Sequence, residues 1–427
     1  MFQFKKSMST YRHTLTVSIF IIPWFLFTGV VSSQDMESPL GLHLTWQFDP
    51  ATTMTIDWQT EEEQERDGII RYRKLGEYSW SQAEARQVAF PYSDRIIHRV
   101  ELTGLEPDAT YEFQAGNFTR MYQFRTMPEN LDDRPVVFAA GGDTRHRKEW
   151  MLNTNRAVME YDIDFVVWGG DFAYADGRGD RLYRWYEWFE ANYEGLISED
   201  GRVVPVLTAL GNHEVLGGYH SRNDRRDWLP EYEQNDASRM MIAPYFYSLF
   251  AFPGQPGYGI LDFGDYLSIV LLDSEHTNPI EGKQTEWLES ELRERARRKV
   301  PHIFPVHHVT AYPSHRSYTG SISTSIRDNW VPLYEKYGVR VVLENHDHTY
   351  KRTHPIRNGA IADDGIVYIG DGAWGTNPRE GNSSDEWYID QFASVRHGII
   401  VTLDNDTQDY IMVDENGNVI DTYTNTR

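Results

Sequence analysis

No cysteine occurs anywhere in the 427 residues. That excludes a disulfide framework, a disulfide-linked dimer and thiolate metal sites, and leaves stability to core burial and bound metal. Basic residues are scarce, with 41 lysines and arginines against 64 aspartates and glutamates, a formal charge of −23. Such a field repels nucleic acid and anionic membrane surfaces. It still admits a small phosphorylated substrate, because metal ions reverse the local sign. The chain lacks low-complexity tracts, and no arrangement of Ser or Cys suggests a covalent nucleophile. Long apolar runs are missing with one exception. Leu15 to Val31 follows Lys5, Lys6 and Arg12 and precedes Ser32 and Ser33, which reads as a signal peptide cleaved near Ser33. The chain is therefore expected to be exported, whether secreted, periplasmic or on the cell surface. An uncleaved membrane anchor is the alternative reading of that run, and it would be the only basis for a stable membrane partner.

What is present divides into two styles. From Leu40 to Met127 short segments such as Met54–Trp58, His98–Leu102 and Tyr111–Ala115 read as strands, most with period-two alternation, separated by turn clusters such as Thr103–Pro107. Half a dozen such strands predict an all-β sandwich of fibronectin or immunoglobulin type over residues 34–132. It holds no catalytic constellation, and a rigid spacer or lid is its expected role. Beyond the polar stretch Pro128–Pro135, strands alternate with helices to the end of the chain. Helices are expected at Glu149–Glu160, Arg181–Leu196, Lys283–Lys299 and Ile326–Tyr337, the second so rich in aromatics that it belongs in a core. Residues 133–427 are thus predicted to form an α/β (α+β) domain with mixed β-sheets sandwiched between helices.

Polar clusters follow the strands of that second part. Val136–Ala140 ends in Gly141-Gly142-Asp143, and Asp164–Trp168 ends in Gly169-Gly170-Asp171-Phe172-Ala173-Tyr174. Val203–Ala209 ends in Leu210-Gly211-Asn212-His213-Glu214, His302–Val306 in His307-His308, and Val339–Leu343 in Glu344-Asn345-His346-Asp347-His348. The carboxyl ends of strands are where α/β sheets collect ligands and catalytic groups. Asp143, Asp171, Tyr174, Asn212, His307, His346 and His348 together offer carboxylate, phenolate, amide and imidazole, a donor set suited to iron, manganese or zinc. Seven ligands are too many for one ion and natural for two that share a carboxylate. Two such ions clamp a phosphate and acidify a water.

These blocks, in this order, resemble the five motifs of the metallophosphoesterases in their purple acid phosphatase variant, and the β-sandwich resembles the amino-terminal domain of the plant-type members. The resemblance implies Asp143, Tyr174 and His348 on a first, ferric ion, and Asn212, His307 and His346 on a second that is zinc, ferrous iron or manganese. Asp171 would bridge them. It also implies that His213 contacts phosphate and helps protonate the leaving group, and that His315 lies in a loop of substrate-contacting histidines. His307 is preferred to His308 because it comes first after its strand. Asp371, flanked by Gly370 and Gly372, suits a supporting or turn role.

Three positions depart from the pattern. Arg145 stands where many relatives carry a ligand histidine; it is a candidate phosphate contact, and the neighbouring His146 a candidate ligand. Asn345 replaces a glycine before the paired histidines, and Phe304 a valine. The implied activity is hydrolysis of phosphate monoesters by a metal-activated hydroxide. A phosphodiesterase or nucleotidase on the same metal core is the alternative, and a binding protein that kept the fold without turnover a further one.

Overall fold

The computed structural model describes residues 38–61, 68–218, 235–381 and 386–426; the signal-like run lies outside them. Among the described residues no helix is long and apolar enough to cross a membrane.

Alternation builds the amino-terminal part. Along Thr110–Ala115 the side chains of Tyr111, Phe113 and Ala115 are buried while their neighbours are half-buried, so one face of the strand meets a core. Two four-stranded antiparallel sheets result. One has the order Leu40–Thr45, Met54–Glu61, Arg95–Leu102, Arg86–Ala89, and the other Ser81–Glu84, Ile69–Lys74, Thr110–Ala115, Tyr122–Arg125. Ser81–Glu84 and Arg86–Ala89 add to the strands read from periodicity. Both are short, largely exposed edge strands with no apolar alternation to reveal them. The sandwich is fastened to the α/β part of the chain. Trp46 packs edge-on against Phe165 and Phe263 at 5.9 and 5.7 Å. The buried Arg99–Asp57 pair also reaches across, with Arg99 Nη2 donating to the carbonyls of Ser248 and Leu249 at 3.2 and 3.1 Å.

The second part contains two mixed sheets face to face, as expected. The first runs Val206–Thr208, Phe165–Trp168, Val136–Gly141, His397–Asp404, Thr407–Asp414, Val419–Thr426. The second runs Gly259–Phe263, Leu267–Leu271, His302–Val306, Val341–Glu344, Val367–Gly370, Tyr350–Thr353, Ile389–Ala393. Aromatics fill the space between them. Phe138 stacks on Phe165 at 5.0 Å and meets Phe304 of the facing sheet edge-on at 5.4 Å. Helices Lys148–Met159 and Tyr183–Gly195 cover the outer face of one sheet, and Lys283–Arg298, Ser321–Asn329 and Val331–Tyr337 that of the other. The last two replace the single helix expected over Ile326–Tyr337. They divide at Trp330, just before Pro332, whose missing N–H suits a first turn rather than a helix interior.

The parallel strands position the site. Phe165–Trp168 pairs in parallel with both of its neighbours, and Leu267–Leu271, His302–Val306, Val341–Glu344 and Val367–Gly370 form a parallel run. Loops leaving their carboxyl ends from both sheets meet along one seam. Asn345 of the second sheet is wedged against Gly142 and Gly169 of the first: a Cβ on Gly169 would lie 1.7 Å from Asn345 Nδ2, and one on Gly142 2.4 Å from its Oδ1. Two glycines just past strand ends of one sheet thus make room for the asparagine just past a strand end of the other.

Candidate metal centre

The loops along this seam hold an unusual backbone. Asp143, Asp171, Tyr174, His346 and His348 have φ values of 55°, 56°, 56°, 80° and 58°. Left-handed conformations cost an L-residue roughly 1–2 kcal/mol each, and a cluster of them at one place marks a functional constraint. Glu214 braces the turn from beneath, accepting the N–H groups of Asp171, Phe172 and Gly211 at 2.7, 2.8 and 2.8 Å. Gly211 has to be glycine for this approach, since a Cβ there would lie 2.4 Å from Asp171 N. Trp188, from the aromatic helix, donates to Thr144 Oγ1 at 2.9 Å, and Thr144 donates to the Phe172 carbonyl at 3.0 Å. The aromatics of that helix are therefore core that also steadies the first two loops.

Two groups of side chains converge here. In the first, Tyr174 Oη donates to Asp143 Oδ1 at 3.0 Å, and His348 Nε2 lies 3.0 Å from the same oxygen and 3.2 Å from Oη. In the second, His308 Nδ1 donates to the Gly169 carbonyl at 2.9 Å, so that in the neutral ring Nε2 presents a lone pair. That lone pair faces Asn212 Oδ1 at 3.1 Å, Asp171 Oδ2 at 3.1 Å and His346 Nδ1 at 2.9 Å. Asp171 Oδ2 is not in line for a hydrogen bond; it and Asn212 Nδ2 are buried without a hydrogen-bond partner among the described residues. Asp171, His308 and His346 can bring one ligand atom each within 4.8 Å of one another. Burial alone would depress the His308 pKa, but the carboxylates of Asp171 and Asp143 outweigh it and lift the ring to about 9. The place demands positive charge. A proton on Nε2 would serve one neighbour, whereas a cation serves them all.

One expectation is corrected. His308, not His307, stands in this cluster. His307 turns to the other side of its strand, where Nδ1 donates to the Val309 carbonyl at 2.7 Å and the ring packs 5.6 Å from Trp330. Successive residues at a strand end alternate faces, and the second of the pair is the one aimed at the seam.

The remaining candidates fall into place around the cluster. His213 is half-buried; its N–H donates to Asp171 Oδ1 at 2.7 Å, its Nδ1 meets Asp176 Oδ1 at 2.5 Å, and its Nε2 lies 3.9 Å from Asp171 Oδ2. Burial holds its pKa below the ordinary histidine value. Asp176, and Glu214 with it, escaped the sequence reading. Asp176 sits only two residues beyond Tyr174, but nothing in the spacing tells an orienting carboxylate from a turn residue. The ring of His315 bonds the Glu380 carbonyl through Nδ1 at 2.8 Å, while its N–H, with those of Ser314 and Arg316, is taken by Asp347 Oδ2 at 2.8, 2.9 and 3.1 Å. Asp347 thus straps the His315 loop to the paired histidines. Arg145 is buried and ion-paired with Glu187, and burial beside Arg184 lowers its pKa to about 10. His146 packs its ring against Tyr174 at 4.4 Å. Asp371 is buried beside Lys351 Nζ at 3.1 Å, and its carbonyl accepts the His348 N–H at 2.7 Å, a supporting position.

Residues 39–126 match the family model described as Purple acid Phosphatase, N-terminal domain, and residues 130–350 that described as Calcineurin-like phosphoesterase, which covers more than half of the chain. The chain belongs to the calcineurin-like phosphoesterases. Among its relatives in that family, purple acid phosphatase 21 of Arabidopsis thaliana is 27% identical over 292 residues, 66% of this chain and 60% of that protein. The Fe(3+)-Zn(2+) purple acid phosphatase 12 of Arabidopsis thaliana is 24% identical over 337 residues, 75% of this chain and 66% of that protein. An uncharacterized protein of Mycobacterium tuberculosis is 25% identical over 350 residues, 76% of this chain and 64% of that protein. The chain thus spans 60% and 64% of the length of the first two of the curated relatives it matches. The fold is that of the purple acid phosphatase from yellow lupin (Lupinus luteus) seeds, with a TM-score of 0.74 at 18% identity over 92% of this chain and 75% of that one.

Proposed function

We propose that this calcineurin-like phosphoesterase binds two metal ions and hydrolyses phosphate monoesters of small molecules, an activity of acid phosphatase type. The observation that carries the reading is Asp171, a fully buried carboxylate whose Oδ2 lies 3.1 Å from His308 Nε2 without a hydrogen-bond partner among the described residues, in a cluster tied to the Asp143 group by the His346 N–H donating to Asp143 Oδ2 at 2.9 Å. Asp143, Tyr174 and His348 would hold one ion, Asn212, His308 and His346 the other, and Asp171 both. A donor set without sulfur fits iron, zinc or manganese. A ferric ion in the tyrosine-containing site with zinc in its neighbour agrees with the metals named for the Arabidopsis Fe(3+)-Zn(2+) relative, and ferrous iron or manganese would suit the second donor set as well. Ions bound there supply Lewis acidity toward the phosphoryl oxygens and acidify a water.

The chain's own residues do the rest. His213 is held through Nδ1–H by Asp176, so a second proton taken up on Nε2, 3.9 Å from Asp171, makes the imidazolium that would give that proton to the departing alkoxide and return to the neutral ring. Glu214 keeps the Asp171 turn from relaxing when charge develops nearby. Export belongs to the same reading, on the strength of the signal-like first 33 residues; amino-terminal sequencing of protein from the exported fraction, starting near Gln34, would bear it out.

Elemental analysis combined with turnover of an aryl monoester and its bis-aryl diester tests the function. Two ions per chain with preference for the monoester is the expected result. Preference for the diester would turn the reading to a phosphodiesterase or nucleotidase, and two ions with no turnover of either ester to a binding protein. Replacement Asp171→Asn is expected to abolish double occupancy, and unchanged metal content would reject the bridge.

A further inference from the structure

His146 stands three residues beyond Asp143, on the loop that the strand Val136–Gly141 delivers to the seam. Two hydrogen bonds tie it to the segment after Asp371. Its N–H donates to the Gly375 carbonyl at 2.7 Å, and its Nδ1 accepts the Asn377 N–H at 3.4 Å. A ring nitrogen that accepts a backbone N–H carries no proton, so the neutral imidazole carries its proton on Nε2. Coordination through Nε2 would force the proton onto Nδ1, against the Asn377 N–H. The ring is therefore built as a donor, not as a ligand.

Its position says what it donates to. The ring lies edge-to-face on Tyr174 at 4.4 Å and 66°, and 5.6 Å from His348. Tyr174 also carries the His213 ring at 4.3 Å. Two imidazoles thus share one phenol, each held through Nδ1: His146 accepts a backbone N–H there and so carries its proton on Nε2, whereas His213 meets a carboxylate. Asp143, Tyr174 and His348 are buried, whereas His146 and His213 are only partly so and therefore lie nearer solvent. A phosphate entering past Asp143, Asp171 and Asp176, in a chain of charge −23, needs hydrogen-bond donors on its path.

We propose that His146 is a substrate-contacting residue, its Nε2–H donating to a non-bridging phosphate oxygen beside the Asp143–Tyr174–His348 group. The proposal rests on the phosphoesterase reading above. No protein proton is transferred and no bond to His146 forms; its contribution is to binding and orientation.

The test uses the full metal-loaded chain, with inorganic phosphate as the probe in calorimetric titration. His146→Phe keeps an aromatic ring against Tyr174 and removes the donor, and His146→Leu is read the same way should the larger ring disturb folding. His146→Gln restores an N–H. The Phe variant is expected to keep two ions per chain and to bind phosphate about tenfold more weakly, with the Gln variant recovering most of the loss. The KM for an aryl monoester should rise in parallel while kcat changes less. Parental phosphate affinity in the Phe or Leu variant would overturn the proposal. So would loss of one ion in either, which would make His146 a ligand. A parent chain that holds two ions and binds no phosphate would instead overturn the phosphoesterase reading, and this inference with it.

Discussion

His308 Nε2 and Asp171 Oδ2 face each other at 3.1 Å, fully buried and out of line for a hydrogen bond, while His307 beside them bonds the Val309 carbonyl at 2.7 Å. The two adjacent histidines are therefore opposites in environment. His308→Ala is expected to lose one ion per chain and to cut turnover by more than the roughly 10–100-fold typical of outer-sphere changes at metal sites. His307→Ala removes a ring packed on Trp330 and is expected to lower stability while both ions remain. Elemental analysis of the two variants side by side decides the matter. Loss of metal from the His307 variant alone would reverse the assignment.

Tyr174 reports on its own ion. Its Oη lies 3.0 Å from Asp143 and 3.2 Å from His348, so a phenolate there would bind whatever they bind. Purified protein with a ferric ion in this site is expected to show a visible absorption band that Tyr174→Phe bleaches, with the other ion retained. A band that survives the substitution would place the chromophore elsewhere, and a colourless parent that is fully metallated would argue against ferric iron.

Asp176 separates proton delivery from metal binding. It touches His213 Nδ1 at 2.5 Å and is ion-paired with Arg181 on its far side. Asp176→Asn is expected to leave metal content unchanged and to lower kcat roughly 10–100-fold, the usual scale for losing an orienting partner. The loss should be larger for an alkyl ester, whose leaving group needs the proton, than for an aryl ester, whose leaving group does not. Equal losses on both substrates would show that Asp176 supports the loop and not the proton transfer.

The strand-end blocks were legible because each is a glycine-rich turn directly after a short apolar run, a local signal that needs no knowledge of partners. The pair His307-His308 was not. Both follow the same strand, and which one faces the seam depends on the opposing sheet, which meets His308 at Gly169 across 139 residues. Asp176 and Glu214 were hidden for the same reason. Their contacts to His213 and Asp171 span 37 and 43 residues, and a lone carboxylate near a motif has no spacing of its own. The edge strands Ser81–Glu84 and Arg86–Ala89 lacked apolar alternation, and the break at Trp330 was masked by a continuous helical period. Departures from the family pattern were visible as identities but not as geometry. Asn345 became intelligible only once Gly142 and Gly169 were seen to make room for it.

Phe304 allows stability to be tested apart from chemistry. Its ring is fully buried between the two sheets, 5.4 Å from Phe138, on the strand that ends two residues before His308. Phe304→Val opens a cavity where the sheets meet. Because truncating a buried Phe to Ala costs about 3–5 kcal/mol, a valine, which fills part of the space, is expected to cost about 2–3 kcal/mol. In a chain this long the thermal midpoint should fall by several degrees. Metal content and kcat at low temperature should not change, because His308 is held by the Gly169 carbonyl and by its own cluster and not by the ring of Phe304. Loss of an ion in this variant would mean that the intersheet packing sets the spacing of the two ligand groups.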